Sequence, residues 1–272
     1  MRFQFITILL LLVVVVNGAE RVVSLTPNLT ELIYKLKQEH QLSGRSSACD
    51  YPPEVKTVPV AGEFAKPSLE PLAALRPTLV VSESTRSLKH AEAVRNLGIK
   101  FVSFPSETIE DYLSNIATMG KLLNCPHAAA KLITETQTKL DAFRKTAPPP
   151  DHRPKVLILI SASPLITVGK RSYIHEMIEL AGGRNIAAGV EQNYFTCSME
   201  FVVEQQPDIM IITPMTGGMN RIENDPAWQT IPAIKNKRVH AEIDPSMIYR
   251  LGPRTIEGIT IMRKIFYPVP KN

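Results

Sequence analysis

The chain has 272 residues, of which 44% are hydrophobic and 21% are charged, and its formal net charge is +5. This composition is typical of a globular protein with one large or two medium domains, and it argues against a disordered chain. Lysine and arginine are interleaved with aspartate and glutamate throughout the sequence, which argues against nucleic-acid binding because nucleic-acid binders cluster their basic residues.

Residues 1–19 predict a secretory signal peptide. A lone Arg2 precedes an apolar run from Phe5 to Val16, and Gly18 and Ala19 supply the small residues of a cleavage site. The apolar run is shorter than the roughly 20 residues that a membrane-crossing helix needs. Cleavage would remove only one charge and lower the formal net charge from +5 to +4. We therefore expect a periplasmic or otherwise exported protein.

The cysteines are single and far apart. Cys49, Cys125 and Cys197 have neither the spacing of a zinc site nor that of a dense disulfide framework. At most one pair could form a disulfide in an oxidising compartment, and buried thiols are the simpler expectation. The six histidines have no close metal-binding spacing, so we expect no metal site.

Strands and helices alternate over the first hundred residues. The stretch RVVSL (21–25) predicts a buried strand, and Leu29, Leu32, Ile33 and Leu36 then follow at helical spacing. Helices are next predicted at SLEPLAAL and KHAEAVRNLGI, each followed by a strand, TLVVS and KFVSF. This alternation predicts parallel strands with helices packed on both faces.

The alternation stops between residues 108 and 150, where no strand is predicted. One helix is expected from Ile109 to about Leu123 and a second after Pro126, which the first turn of a helix tolerates. Three consecutive prolines at 148–150 end the second helix.

The pattern of the first half then begins again. SLEPLAALRPTLVV (68–81) and SMEFVVEQQPDIMII (198–212) share Ser, an aliphatic residue, Glu and a later Pro. Glu70 and Glu200 are 130 residues apart, and RVVSL and KVLIL are 134 apart. The sequence thus predicts two similar Rossmann-like α/β lobes with mainly parallel sheets, joined by a single long α-helix. Their expected ranges are 20–107, 108–150 for the helical connector, and 151–272.

Two lobes form a cleft, and ligands bind preferentially between domains and at the carboxyl ends of parallel strands. A single helical connection is stiff, so we expect little hinge closure. Catalytic motifs are missing: GKRS (169–172) lacks the preceding Gly of a phosphate-binding loop, and no nucleophile elbow or dinucleotide fingerprint occurs. We expect no enzyme, although catalytic residues scattered along the chain remain an alternative.

Glu70 and Glu200 have two interpretations on spacing alone. A carboxylate in the first turn of a helix is favoured by the helix dipole in any protein. Two matched carboxylates could instead bind basic residues of a two-fold symmetric partner.

Seven stretches together resemble the cobalamin and metal-chelate periplasmic binding proteins of ABC importers. They are RVVSLTPNLTELIYKL, DYPPEV, SLEPLAALRPTLVV, AEAVRNLGIKFVSFP, AGGRNIA, SMEFVVEQQPDIMII and LGPRTIEGI. The resemblance covers nearly all of the mature chain. It implies a monomer with no cofactor of its own that delivers a metal chelate to the importer's membrane subunits. In this family one Glu per lobe forms a salt bridge with Arg on those subunits, and the pattern falls on Glu70 and Glu200.

The resemblance also implies which residues contact the ligand. Cobalamin binders pack aromatic faces on the corrin ring, yet Glu83 stands here where the best-known members have Trp, so the cleft is less aromatic than theirs. DYPP favours a corrinoid, while haem, a ferric siderophore or an exported enzyme on the same scaffold are alternatives. Arg250 could offer charge to the ligand, whereas Arg254 has a competing structural role near the last helix. The expected ligand-binding residues are Tyr51, Phe64, Glu83, Ile166, Tyr194, Phe195 and Arg250.

Overall fold

The computed structural model describes residues 20–212, 222 and 226–268, apart from the side chains of residues 84–88. The predicted signal peptide, residues 1–19, lies outside the described residues. Within the described ranges, no helix has the length and apolar character needed to cross a membrane.

The first lobe is a six-stranded sheet in the order β4-β3-β2-β1-β5-β6. All neighbouring strands are parallel except β3 and β4, which form an antiparallel edge. The strands are β1 (Val22–Ser24), β2 (Leu42–Ser46), β3 (Val60–Glu63), β4 (Lys66–Pro67), β5 (Leu79–Glu83) and β6 (Lys100–Phe104). The helices are α1 (Pro27–Lys35), α2 (Leu69–Leu75) and α3 (Ser84–Asn96).

Two helices follow the first sheet, as predicted. Helix α4 (Ile109–Leu122) begins with a capping box, in which Thr108 and Asp111 satisfy each other's backbone N–H groups. Helix α5 (Pro126–Lys145) has Pro126 in its first turn, where the missing N–H costs nothing. Its 20 residues span about 30 Å, and this single long helix leads into the second lobe.

The second lobe repeats the architecture with a sheet in the order β10-β8-β7-β11-β12, and β9 also pairs with β7. Strands β9, β7, β11 and β12 are parallel, while β8 and β10 add an antiparallel edge. The strands are β7 (Lys155–Ala162), β8 (Leu165–Val168), β9 (Arg184–Asn185), β10 (Tyr194–Thr196), β11 (Ile209–Ile212) and β12 (Val239–His240). The helices are α6 (Tyr173–Leu180), α7 (Met199–Gln205), α8 (Pro232–Lys235), α9 (Ser246–Tyr249) and α10 (Thr255–Phe266).

The register of the sheets confirms the duplication. Val22 of β1 pairs with Leu79 of β5, and Val156 of β7 pairs in the same way with Ile209 of β11. The helices before β5 and β11, α2 and α7, each have seven residues and end on a left-handed residue. The two quoted stretches therefore occupy equivalent places in two similar lobes.

One hydrophobic core runs through the connector from lobe to lobe. It includes Leu32 of α1, Met119 of α4, Leu140 of α5, Met177 of α6 and Ile259 of α10, all buried. Helix α4 packs against α1, and α5 packs against α6 and α10. Separate clusters cover the other face of each sheet. The lobes are thus connected by packed side chains as well as by the chain itself.

Glu176 of α6 lies at the junction of the second lobe and the connector. Its half-buried carboxylate accepts a hydrogen bond from the backbone N–H of Ile109, at 3.4 Å, at the start of α4. Burial raises the pKa of Glu176, and the Ile109 N–H opposes this shift only in part.

Replacing Glu176 by Gln should raise the free energy of unfolding at pH 7. The pKa of Glu176 is higher in the folded than in the unfolded state, so the native protein loses stability as pH rises through that raised pKa. The neutral amide of the Gln variant does not titrate and avoids this loss. Denaturant unfolding at pH 7 and pH 4 should show a gain at pH 7 that shrinks at pH 4. Exposed Glu135→Gln is the control and should change stability by less than about 0.5 kcal/mol. A gain that does not depend on pH, or a loss at pH 7, contradicts the assignment.

Candidate functional site

The carboxyl edges of the two sheets face each other. Asn28, just after β1, donates its side-chain amide to the Leu251 carbonyl of the second lobe at 3.1 Å. Burial raises the pKa of Tyr173 in the second lobe, and the adjacent Tyr194 and Glu83, the latter at the end of β5, raise it further. Contacts from both lobes therefore meet where the parallel strands end, which is where ligands bind in open α/β sheets.

Three large aromatic side chains are exposed at these edges. Tyr51 follows β2 and is 45% exposed, Phe64 lies in the β3–β4 turn and is 38% exposed, and Tyr194 on β10 is 44% exposed. Two come from the first lobe and one from the second. Because exposed apolar surface that forms a patch often marks an interaction or ligand site, these three side chains are candidate ligand contacts.

Strand alternation separates two of the predicted contacts. In the antiparallel β8–β10 pair, Tyr194 lies opposite Val168, Phe195 opposite Thr167, and Thr196 opposite Ile166. Side chains alternate between the two faces of a strand, so Ile166 shares the face of Tyr194. Phe195 is on the other face and meets Phe201 edge-on at 5.9 Å between ring centroids. Ile166 and Tyr194 therefore lie on one face of these strands, whereas Phe195 lies on the other face and packs against the hydrophobic cluster that contains Leu157 and Met210.

Five charged side chains form a cluster between the lobes, which we call the interlobe ionic cluster: Glu31, Asp50, Asp244, Arg250 and Arg254. Arg254 of the second lobe donates Nε to Glu31 Oε2 at 2.9 Å and Nη2 to Oε1 at 2.8 Å. Arg250 donates Nη1 to Glu31 Oε1 at 3.2 Å. The outer carboxylates complete the cluster, with Asp50 Oδ1 at 2.6 Å from Arg250 Nη1 and Asp244 Oδ2 at 3.0 Å from Arg254 Nη1.

The arginines of this cluster are paired with carboxylates of the protein itself. Three carboxylates face two guanidinium groups, so the cluster carries a formal charge of −1 when all are ionised. The hydrogen bond from Arg250 lowers the pKa of Asp50, although partial burial opposes the shift. Arg250, predicted to offer charge to a ligand, is thus held by Glu31 and Asp50.

Sequence reasoning missed the carboxylates of this cluster. Glu31 lies among Leu29, Leu32 and Ile33 on the inward face of α1, and its side chain is 3% exposed. A carboxylate on an apolar helix face needs a buried cationic partner, because an unpaired buried charge is very unfavourable. The position of Glu31 on the apolar face of α1 was therefore the sequence signal that could have indicated this cluster. Gly252 lets the arginine-bearing loop approach α1, since a Cβ there would lie 3.2 Å from the Cβ of Asn28.

Glu70 and Glu200 occupy matching positions on the protein surface. Each is the second residue of its helix, α2 or α7, and each side chain is exposed. The backbone N–H of Glu200 and the Ser198 hydroxyl lower the pKa of Glu200, so this carboxylate is ionised at neutral pH. Both lobes therefore present a solvated carboxylate at equivalent places.

The largest described groove lies away from the facing edges. A groove of 860 Å³ is lined by Lys35 of α1, Phe143 of α5 and Arg263 of α10, and by none of the predicted ligand contacts. The three cysteines are free thiols; Cys49 and Cys197 are buried as expected, whereas Cys125 is only half-buried. Among the described residues, no group of three or more His, Cys, Asp or Glu side chains is placed to hold a metal ion.

Two similar α/β lobes, joined by a helical connector and in contact at the carboxyl ends of their strands, are the architecture of two-lobed solute-binding proteins. A family model described as "Periplasmic binding protein" matches residues 22–244. The chain belongs to this family, and it is an exported binding protein, as the resemblance predicted.

Curated relatives and solved structures agree with this membership. The chain is 27% identical over 256 residues to the uncharacterized ABC transporter substrate-binding lipoprotein YvrC of Bacillus subtilis, covering 92% of this chain and 80% of the relative. It is 27% identical over 247 residues to a vitamin B12-binding protein of Vibrio vulnificus, covering 88% and 87%. The periplasmic heme-binding protein RhuT of Roseiflexus superposes with a TM-score of 0.82 at 26% identity, covering 92% and 98%.

Proposed function

We propose that this protein captures a cobalamin-like metal chelate between its lobes and delivers it to the membrane subunits of an ABC importer. The observation that carries the proposal is the set of exposed aromatic side chains, Tyr51, Phe64 and Tyr194, which both lobes contribute to the facing edges. The protein binds and releases its ligand as a monomer, with no cofactor of its own and no chemical change in the ligand.

A flat, largely apolar macrocycle suits this arrangement. Aromatic faces bury large areas at low entropic cost, and each well-packed contact contributes about 0.5–1.5 kcal/mol beyond the buried area. Ile166 adds an aliphatic surface on the face of Tyr194. Ligand sites of this kind combine a mostly apolar lining with a few polar groups that fix orientation, a role that Glu83 can serve.

Charge favours a corrinoid over an anionic chelate. Arg250 and Arg254 are already paired with Glu31, Asp50 and Asp244, and the cluster carries a formal charge of −1. The periphery of cobalamin is dominated by neutral amides, whereas a ferric siderophore or the haem propionates bring negative charge next to this cluster. The vitamin B12-binding relative from Vibrio vulnificus supports the same choice.

Haem is the second candidate, and Tyr51 favours it. A tyrosine oxygen can ligate haem iron, and the Tyr51 side chain is 45% exposed at the edge of the first lobe. The similarity to the heme-binding protein RhuT supports this alternative.

The purified protein should be titrated with cyanocobalamin, haemin and a ferric siderophore. Cyanocobalamin should bind saturably, and the ligand released afterwards should be chemically unchanged. Tyr51→Ala and Tyr194→Ala should each weaken binding about ten-fold, because each removes one aromatic contact. Absorbance and tyrosine fluorescence report the binding. Leu97→Ala removes an equally exposed apolar side chain outside the cleft and should leave affinity unchanged. No binding of any of the three ligands would contradict the proposed function, and preferential haemin binding would replace the corrinoid by haem.

We further propose that Glu70 and Glu200 dock the two lobes onto the two membrane subunits. The support is their matched exposure on equivalent helices, together with the family resemblance. Two carboxylates related by the duplication suit a partner with two-fold symmetry, and charge-assisted bonds to arginine are strong.

Glu70→Ala and Glu200→Ala should leave ligand affinity unchanged and weaken binding to the importer at least about ten-fold, since each removes one hydrogen-bonded charge pair. Ligand uptake into vesicles containing the cognate importer provides the measurement. Glu92→Ala, an exposed acid on α3, is the matched control and should transport normally. Normal transport by both docking variants would refute the assignment.

A further inference from the structure

The interlobe ionic cluster converges on one loop of the first lobe. Arg250 holds Asp50 through two bonds, from Nη1 to Oδ1 at 2.6 Å and from Nη2 to Oδ2 at 3.2 Å. The guanidinium of Arg254 lies over the ring of Tyr51, 4.2 Å from its centroid. Asp50 and Tyr51 are consecutive, so two arginines of the second lobe support two adjacent residues of the first.

Glu31 holds both of these arginines. Both of its carboxylate oxygens accept from Arg254 in a fork, and Oε1 also accepts from Arg250. A planar guanidinium bound at two points by a buried carboxylate keeps a defined orientation. The position of the Arg254 guanidinium over the Tyr51 ring therefore depends on Glu31, whose side chain is only 3% exposed.

We propose that Glu31 is a positioning residue for ligand binding: by holding Arg254 against the ring of Tyr51 and Arg250 against Asp50, it sets the orientation in which Tyr51 meets the ligand. The inference rests on the proposed function in one respect, namely that Tyr51 contacts the ligand. Because both arginines come from the second lobe, the orientation of Tyr51 also depends on how the lobes are spaced.

A double-mutant cycle tests the proposal. Glu31→Gln and Tyr51→Ala should each weaken binding of cyanocobalamin or haemin about ten-fold, and the double variant should also be weaker by about ten-fold rather than a hundred-fold. The effects are non-additive because the loss of the Tyr51 ring removes what Glu31 positions. Additive effects, or full affinity in Glu31→Gln, overturn the proposal. The control is Glu176→Gln. Glu176 lies at the junction with the connector and contacts neither arginine, so this variant should bind the ligand normally.

Asp244→Asn provides a second route where Glu31→Gln does not fold. Removing Glu31 leaves two buried guanidinium groups short of a partner, which is strongly destabilising. Asp244 is 44% exposed and holds Arg254 from the opposite side, so its replacement is milder. Asp244→Asn alone should weaken ligand binding less than Tyr51→Ala does. The double variant should bind the ligand as weakly as Tyr51→Ala alone. An additive effect in this second cycle also overturns the proposal.

Arginine side-chain NMR gives a readout without ligand. The Tyr51 ring should shift the Arg254 side-chain resonances of the wild-type protein through its ring current, and Tyr51→Ala identifies that shift by removing it. Glu31→Gln should lose the same shift, whereas Glu176→Gln should keep it. An Arg254 spectrum that Glu31→Gln leaves unchanged overturns the positioning role. If the wild type binds none of the ligands, the proposed function fails, and this spectrum still decides the role of Glu31.

Discussion

The pairing of the Glu31 carboxylate with both Arg250 and Arg254 is the interaction on which the arrangement of the two lobes depends. It joins helix α1 of the first lobe to the loop before α10 of the second. Burying a carboxylate is unfavourable unless its hydrogen bonds are made, and removing one partner of a buried pair typically costs about 3–5 kcal/mol. The bonds hold only while the lobes remain at one spacing, so the cluster constrains the lobes on the side where the ligand is proposed to bind.

A second constraint lies behind the cleft. The main core passes from α1 through α4 and α5 to α6 and α10 without interruption. Close-packed interiors resist deformation, so a movement of one lobe would have to disturb packed side chains. The packed core on one side and the paired charges on the other together favour a nearly fixed spacing of the two lobes. Large closure around a ligand is restricted in such an arrangement, which favours ligand contacts that are already formed before binding.

Much of the fold could be predicted because the sequence repeats its own pattern. The Ser-x-Glu helix with its following strand occurs twice, and the register of Val22 with Leu79 and of Val156 with Ile209 shows why: each stretch packs its strand beside an equivalent central strand. Boundaries were harder to predict. Helix α3 starts at Ser84, earlier than the apolar spacing indicates, because its first turn is polar and has no periodic pattern. Contacts between distant residues, such as Glu31 with Arg254, leave only an indirect signal, since 223 residues separate the partners. The face of β10 on which Phe195 lies could likewise not be predicted from the sequence, because it depends on the register between β8 and β10.

The most direct test of the Glu31 constraint is the distance between the lobes, measured by pulsed electron paramagnetic resonance. Spin labels on noncanonical residues at exposed Glu92 and Lys235 report on the first and second lobe without using the native cysteines. In the wild-type background the distance distribution should be narrow, and Glu31→Gln should broaden it or move it by more than about 2 Å, the scale of a real domain rearrangement. Identical distributions in the two backgrounds would show that Glu31 does not set the spacing of the lobes.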